Sequence, residues 1–116
     1  MKKLISLILI SLIFLTPHQA IAKRKNKPGY DKVFIPSGRM VEYNVELDTI
    51  PTVFNVVGKG GKIDCYLFDN NQKILTKDTS VGNNCIVAYR VPVENTYIFI
   101  IANYGKSDSF VELETN

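Results

Sequence analysis

Met40-Val41-Glu42-Tyr43-Asn44-Val45-Glu46-Leu47 is the stretch that decides the fold. Apolar Val41, Tyr43, Val45 and Leu47 alternate with Glu42, Asn44 and Glu46, and a period of two places the two sets on opposite faces of an extended strand. Moving outward, Ile50 to Val57 is a second β-rich run, with Pro51 near its start, where a missing N–H donor is tolerated. Gly58-Lys59-Gly60-Gly61 imposes a turn. Lys62 to Phe68 then predicts a third strand, with Ile63, Cys65 and Leu67 on one side and Asp64, Tyr66 and Phe68 on the other.

Asp69-Asn70-Asn71-Gln72 reads as a hairpin loop, because Asn accepts the positive φ of tight turns, and Lys73 to Thr76 reads as the return strand. Lys77 to Asn84 is polar and contains Gly82, which predicts an exposed loop. Cys85, Val87, Tyr89 and Val91 alternate with Ile86, Ala88 and Arg90 up to Pro92. Thr96 to Ala102 is apolar at both parities, the pattern of a central strand covered on each side. Phe110 to Glu114 is the last strand, with Val111 and Leu113 inward. From Lys23 onward no three-to-four-residue apolar repeat runs for the length of a helix. Seven to eight short strands separated by turn residues predict an all-β fold, an antiparallel β-sandwich of jelly-roll-like type.

The N-terminus carries a different message. Lys2 and Lys3 precede an apolar run from Leu4 to Leu15, then Pro17 and the small residues of Ala20-Ile21-Ala22, the layout of a cleaved secretory signal. A run of twelve residues, ten of them apolar and two serines, is too short to span a bilayer, which takes about 20. The organisation expected is a signal peptide at 1–22, a basic flexible leader at 23–30 and a β-sandwich domain at 31–116, periplasmic or secreted, with no membrane span after cleavage. Export takes Cys65 and Cys85 into an oxidising compartment, where they are expected to pair. Both fall on the inward side of their strands, so the bridge would fill core as well as cross-link it. Charge divides along the chain: Lys23, Arg24, Lys25 and Lys27 make the leader basic, while residues 28–116 hold eight basic and eleven acidic side chains. Four charges without aromatic partners make a weak nucleic-acid site, and none is expected.

Composition narrows the chemistry. The chain has no tryptophan, and its one histidine, His18, leaves with the signal, which excludes Ser-His-Asp and Cys-His catalysis and histidine-rich zinc sites from the mature domain. Pairing the cysteines removes the thiolate as well. No catalytic residue, enzymatic activity or cofactor is expected. Asp64, Asp69 and Asp78, with Asn70 and Asn71, are the oxygen donors that a calcium ion would use. Their spacing matches no EF-hand loop, and turn formation accounts for Asp69 to Asn71 more simply, so no metal is expected. Tyr66, Phe68 and Tyr104 fall on outward or loop positions and are the candidate binding residues, since such rings stack on sugars or anchor protein partners. A shift of one residue in register would move them into the core.

Two resemblances add to this reading. Lys62-Ile63-Asp64-Cys65-Tyr66-Leu67-Phe68-Asp69, the segment Pro92-Val93-Glu94-Asn95-Thr96-Tyr97, and the ending from Ile101-Ala102-Asn103-Tyr104-Gly105 to Val111-Glu112-Leu113-Glu114-Thr115-Asn116 resemble the bacterial pre-peptidase C-terminal domain. That family's acidic strand reads Asp-Leu-Asp-Leu-Tyr-Val-Tyr-Asp, and its penultimate strand opens on a Gly-Thr-Tyr turn. The resemblance implies a small exported β-sandwich that assists secretion or binds polymeric substrates. Lys62 stands where the family has its first acidic residue, and Asn95 where it has the turn glycine, a swap that the left-handed region tolerates. In size, export and architecture the chain is also similar to periplasmic inhibitors of goose-type lysozyme, although no inhibitory-loop motif matches residue by residue. The function expected is a small non-enzymatic module that binds a protein or polysaccharide of the cell envelope or the exterior through loops at one end, with inhibition of a g-type lysozyme as the alternative. The loops expected to make contact are Lys77 to Asn84, Asn70 to Gln72 and Asn103 to Ser107.

Overall fold

The alternating runs become strands whose apolar positions share one core. The computed structural model describes residues 28–116; the signal at 1–22 and the basic residues of the leader lie outside them. The strands are β1 Tyr30–Ile35, β2 Met40–Leu47, β3 Thr52–Lys59, β4 Ile63–Phe68, β5 Ile74–Asp78, β6 Asn84–Tyr89, β7 Asn95–Asn103 and β8 Ser109–Thr115. They form two four-stranded sheets, sheet I in the order β1-β8-β3-β6 and sheet II in the order β2-β7-β4-β5. Every pairing is antiparallel. Only β4 and β5 are sequential neighbours within a sheet, and the other connections cross between layers, which is jelly-roll wiring. Among the described residues no helix is long and apolar enough to cross a membrane.

Several ties join the layers. At the centre, Phe54 of β3 and Phe99 of β7, both fully buried, stack with ring centroids 4.2 Å apart. Towards one side, the Cys65–Cys85 disulfide links β4 to β6 with Cα atoms 6.3 Å apart. At the opposite edge, the hydroxyl of buried Tyr43 on β2 donates to Asp31 Oδ2 on β1 at 2.8 Å. A smaller lock sits at the β6–β7 connection, where the Tyr97 hydroxyl donates to the Val93 carbonyl at 2.6 Å.

Tyr43 makes stability depend on alkaline pH. Burial, and then the hydrogen bond and charge of Asp31, push its phenol far above the ordinary value of 10.0. In the unfolded chain it ionises near that ordinary value, so above it the unfolded state binds fewer protons than the folded one. The contribution is therefore intact below pH 10 and is lost as pH rises towards the folded value, at about 1.4 kcal/mol per pH unit. The unfolding free energy from urea titrations is expected to fall past pH 10 by at least that slope, since burial raises the phenols of Tyr66 and Tyr97 as well, and Tyr43→Phe is expected to remove the share of Tyr43.

Several sequence expectations change. Tyr30–Ile35, which the alternation argument passes over, is a full strand at the edge of sheet I. The fold reaches back into residues assigned by composition to the leader, since the Gly29 amide donates to Thr115 Oγ1 at 2.7 Å and Thr115 N donates to the Gly29 carbonyl. β7 is central but its outer side is only partly covered: Tyr97, Phe99 and Ile101 are buried, as is Ala102 on the outer side, whereas Ile98 and Ile100 are half-buried, because the described strands form two layers with no third outside sheet II. In the β4–β5 hairpin the positive φ falls on Gln72, at 66°, and not on an asparagine. Asp69 organises that turn, its Oδ1 accepting from the Asn71 and Lys73 amides at 2.9 Å each. Asn95 is not in the left-handed region either.

Candidate functional site

The outer face of sheet II is built by strand register. Glu42 of β2 pairs with Ile100 of β7, Ile100 with Tyr66 of β4, and Tyr66 with Lys77 of β5, so these four side chains form one rung across the sheet. The next rung is Asn44, Ile98, Phe68 and Ile74. A bulge between Leu67 and Phe68 sets the offset at β5. The centre of the face is thus apolar, formed by Ile98, Ile100, Tyr66 and Phe68, all half-buried, with exposed Ile74 at the rim. The Tyr66 and Phe68 rings lie 6.2 Å apart and are tilted by 35°. Burial raises the Glu42 carboxyl above its ordinary value.

Tyr104 joins this face from the β7–β8 loop. Its backbone amide donates to the Lys62 carbonyl at 2.8 Å, and its ring is 59% exposed. Burial first, then the neighbouring Tyr104 hydroxyl and Asp64, raise the Tyr66 phenol well above its ordinary range. Tyr66 donates a long hydrogen bond of 3.4 Å to Asp64 Oδ2. Asp64 is itself buried and paired with the Lys62 ammonium, which also donates to the Thr79 carbonyl at 3.2 Å. Tyr66, Phe68 and Tyr104, picked from the sequence as one group, therefore lie on or beside one surface.

The three acidic candidates for calcium are not brought together. Asp64 pairs with Lys62. Asp69 lies at the far end of β4, about 16 Å along the strand, and caps its turn. Asp78 Oδ1 accepts from Ser80 N and Oγ, and its Oδ2 accepts from Ile86 N at 2.9 Å. These bonds, the Ile86 amide foremost, hold the Asp78 carboxyl below its ordinary value. Among the described residues no group of three or more His, Cys, Asp or Glu side chains is placed to hold a metal ion.

The loops expected to act together also separate. Lys77 and Asp78 belong to β5 and Asn84 to β6, leaving residues 79–83 as the loop, held by Ile63 N to Gly82 O at 3.0 Å and Gly58 N to Asn83 O at 2.8 Å. That loop shares an end of the sandwich with residues 36–39, 60–62 and 104–108. Asn70 to Gln72 lies at the opposite end, because Phe68 pairs with Ile98 near the start of β7, whereas Ile63 pairs with Asn103 at its finish.

Asn103 is the residue that sequence reasoning misplaced. Expected in an exposed contact loop, it is the fully buried last residue of β7. Its Oδ1 accepts from Lys62 N at 3.2 Å and Gly105 N at 2.9 Å, and its Nδ2 donates to the Ile35 carbonyl at 3.0 Å and the Ser107 carbonyl at 2.9 Å. One side chain thereby ties two loops, 60–62 and 104–108, to the end of β1. The approach is so close that a Cβ on Gly61, whose φ is +77°, would come within 2.6 Å of Asn103 Oδ1, so only glycine fits there. The available signal was parity: Asn103 continues the inward set of Tyr97, Phe99 and Ile101.

No family model matches the chain, and no curated protein matches it at a significant level. Among solved structures, the pre-peptidase C-terminal domain of a collagenase from Bacillus anthracis superposes with a TM-score of 0.63 at 17% identity, covering 82% of this chain and 94% of that one. The fold is that of the pre-peptidase C-terminal domain. PliG, a periplasmic inhibitor of g-type lysozyme, has a similar fold. The Aeromonas hydrophila protein superposes with a TM-score of 0.57 at 10% identity over 85% of this chain and 98% of its own. The Salmonella Typhimurium protein gives 0.50 at 10% identity over 82% and 97%. At these identities the likeness is one of fold.

Proposed function

We propose that the chain is a small exported, non-enzymatic binding module, periplasmic or secreted, that recognises a protein or polysaccharide of the cell envelope or the exterior through the outer face of sheet II. The observation that carries this reading is the juxtaposition of Tyr66, Phe68, Ile98 and Ile100 on one unroofed sheet face, with exposed Tyr104 at its margin. Apolar and aromatic side chains gathered on a rigid sheet, ringed by polar groups, make the kind of patch that marks interaction sites. Retention of the purified domain on cell-envelope material is expected to fall at least about tenfold in a Tyr66→Ala/Tyr104→Ala double variant, the loss that follows removal of two aromatic anchors. Tyr104→Ala alone is expected to leave the unfolding midpoint unchanged, since its ring is 59% exposed. Undiminished retention in the double variant would sink the assignment of this face.

The fold shared with PliG supports a second reading, inhibition of a g-type lysozyme through the loops that Asn103 organises. Titrating the domain against such an enzyme is expected to abolish lysis near equimolar ratio if this reading holds. Full activity at large excess removes it.

A further inference from the structure

We propose that the occupant of the sheet II face is a protein segment with an apolar centre and charges of opposite sign at its two ends, and not a glycan. The inference rests on the reading of this face as the binding site and specifies what it binds. Three features of the surface carry it.

The first is what lies at the centre. Ile98 and Ile100 on β7 form the middle of both rungs, between the polar β2 side chains and the β4 rings. A β-branched aliphatic surface offers a sugar neither a ring face to stack on nor a hydrogen-bond partner. Glycan hydroxyls laid over it would be desolvated without compensation, which costs free energy for each group. Apolar side chains of a polypeptide gain from the same burial.

The second is how the rings are set. Tyr66 and Phe68 are half-buried and tilted by 35° to one another, so they do not form the flat pair that two successive sugar rings would cover. They serve instead as walls for inserted side chains, in the manner of protein interface cores.

The third is the placement of charge. Glu42 and Glu46 stand on edge strand β2, and Lys77 stands on edge strand β5, with the apolar strip between them. Three strand spacings separate the two flanks, about 14 Å. Glu42 is already partly desolvated by the face it borders, so a cation on an incoming segment meets a carboxylate that has lost part of its competing hydration. On the β5 side, Lys62 is engaged by Asp64, leaving Lys77 as the ammonium of the rung. A segment of five residues in extended form spans that distance, with its first, third and fifth side chains on one face: a basic group over β2, a large apolar side chain over the β7–β4 strip, and an acidic group over β5.

The test uses three capped synthetic peptides with one Leu-Phe-Val core, so that the two flanking residues and the Phe share one face of the extended segment, flanked by Lys at one end and Glu at the other, by Lys at both ends, or by Glu at both ends. Soluble peptidoglycan fragments and chitin oligosaccharides form the glycan arm. Each is titrated into isotope-labelled mature domain, and amide shifts are followed at Glu42, Tyr66, Ile98 and Ile100. The mixed-charge peptide is expected to perturb these four residues and to bind about tenfold more tightly than either uniform peptide, the scale of one well-placed charge pair. In Glu42→Lys the order is expected to change, with the doubly acidic peptide becoming the better ligand, a reversal that damage to the fold would not produce. Peptide binding that ignores charge order overturns the proposal. Glycan shifts at the same four residues without peptide binding overturn the protein assignment but keep the face as the site. If no probe shifts these residues while others shift elsewhere, both the proposal and the reading beneath it fail.

Discussion

Reduction of the Cys65–Cys85 bridge is expected to destabilise the domain by roughly 3 kcal/mol, the loop-closure entropy released when residues 20 positions apart are uncoupled. In a domain of this size that corresponds to a fall in Tm of about 15 °C or more. The bridge joins β4 of sheet II to β6 of sheet I, so its loss uncouples the two layers and not two neighbours within a sheet. Both sulfurs are buried, and a Cys65→Ala/Cys85→Ala variant is expected to lose packing in addition to the cross-link. Thermal melts with and without reductant, beside the double variant, check this. Equal melting temperatures in the two redox states would show that the core alone holds the layers together.

Asn103→Ala is expected to cost about 3 kcal/mol, because it leaves two amides and two carbonyls without their side-chain partner at the end of the sandwich. The bond to the Ile35 carbonyl is buried and has no water to replace it, while the other three lie nearer solvent. Asn103→Asp discriminates this account from one of size alone. It keeps the acceptor for Lys62 N and Gly105 N but sets a carboxylate against the Ile35 and Ser107 carbonyls. It is expected to be at least as damaging as alanine near neutral pH and to recover partly in acid, where a protonated carboxyl donates again. Urea unfolding at the two pH values measures both effects. Hydrogen exchange at Gly61 and Gly105 is expected to rise in either variant, since these loops lose their common anchor.

The two variants bear on function differently. The Asn103 variants loosen residues 60–62 and 104–108, and so would abolish any inhibitory action that runs through that end. The face centred on Ile98 and Ile100 is held by β2, β4 and β7 and is expected to keep its shape. An Asn103 variant that still binds envelope material but does not affect a lysozyme would separate the two readings in one preparation.

Much of the sandwich was legible because burial on one side of a sheet imposes a period of two. Val41, Tyr43, Val45 and Leu47, then Ile63, Cys65 and Leu67, are buried as their parity requires. The inward placement of both cysteines made the bridge a matter of parity and compartment. What parity did not convey was depth on the other face. Ile98 and Ile100 read as a second buried layer, yet both are only half-buried, because none of the other described strands packs outside sheet II. Asn103 was misread for the converse reason: a polar residue next to Tyr104-Gly105 has the composition of a loop, yet four backbone partners, two of them in the distant segments at Ile35 and Lys62, make its burial favourable.

The amino-acid order by itself determined most of the strands, their inward faces and, given export, the pairing of Cys65 with Cys85, because each follows from local alternation or from compartment. Only the tertiary structure decided that Glu42, Ile100, Tyr66 and Lys77 share a rung, that Asn70 to Gln72 sits at the end opposite residues 79–83, and that Asp69 lies at the other end of β4 from Asp64 and Asp78. Those relations depend on which strands are neighbours, and a jelly roll brings together segments such as β2 and β7 that lie some fifty residues apart in the chain. Alternation within one strand carries no information about its partner; that is settled by how two twisted layers close around a single core.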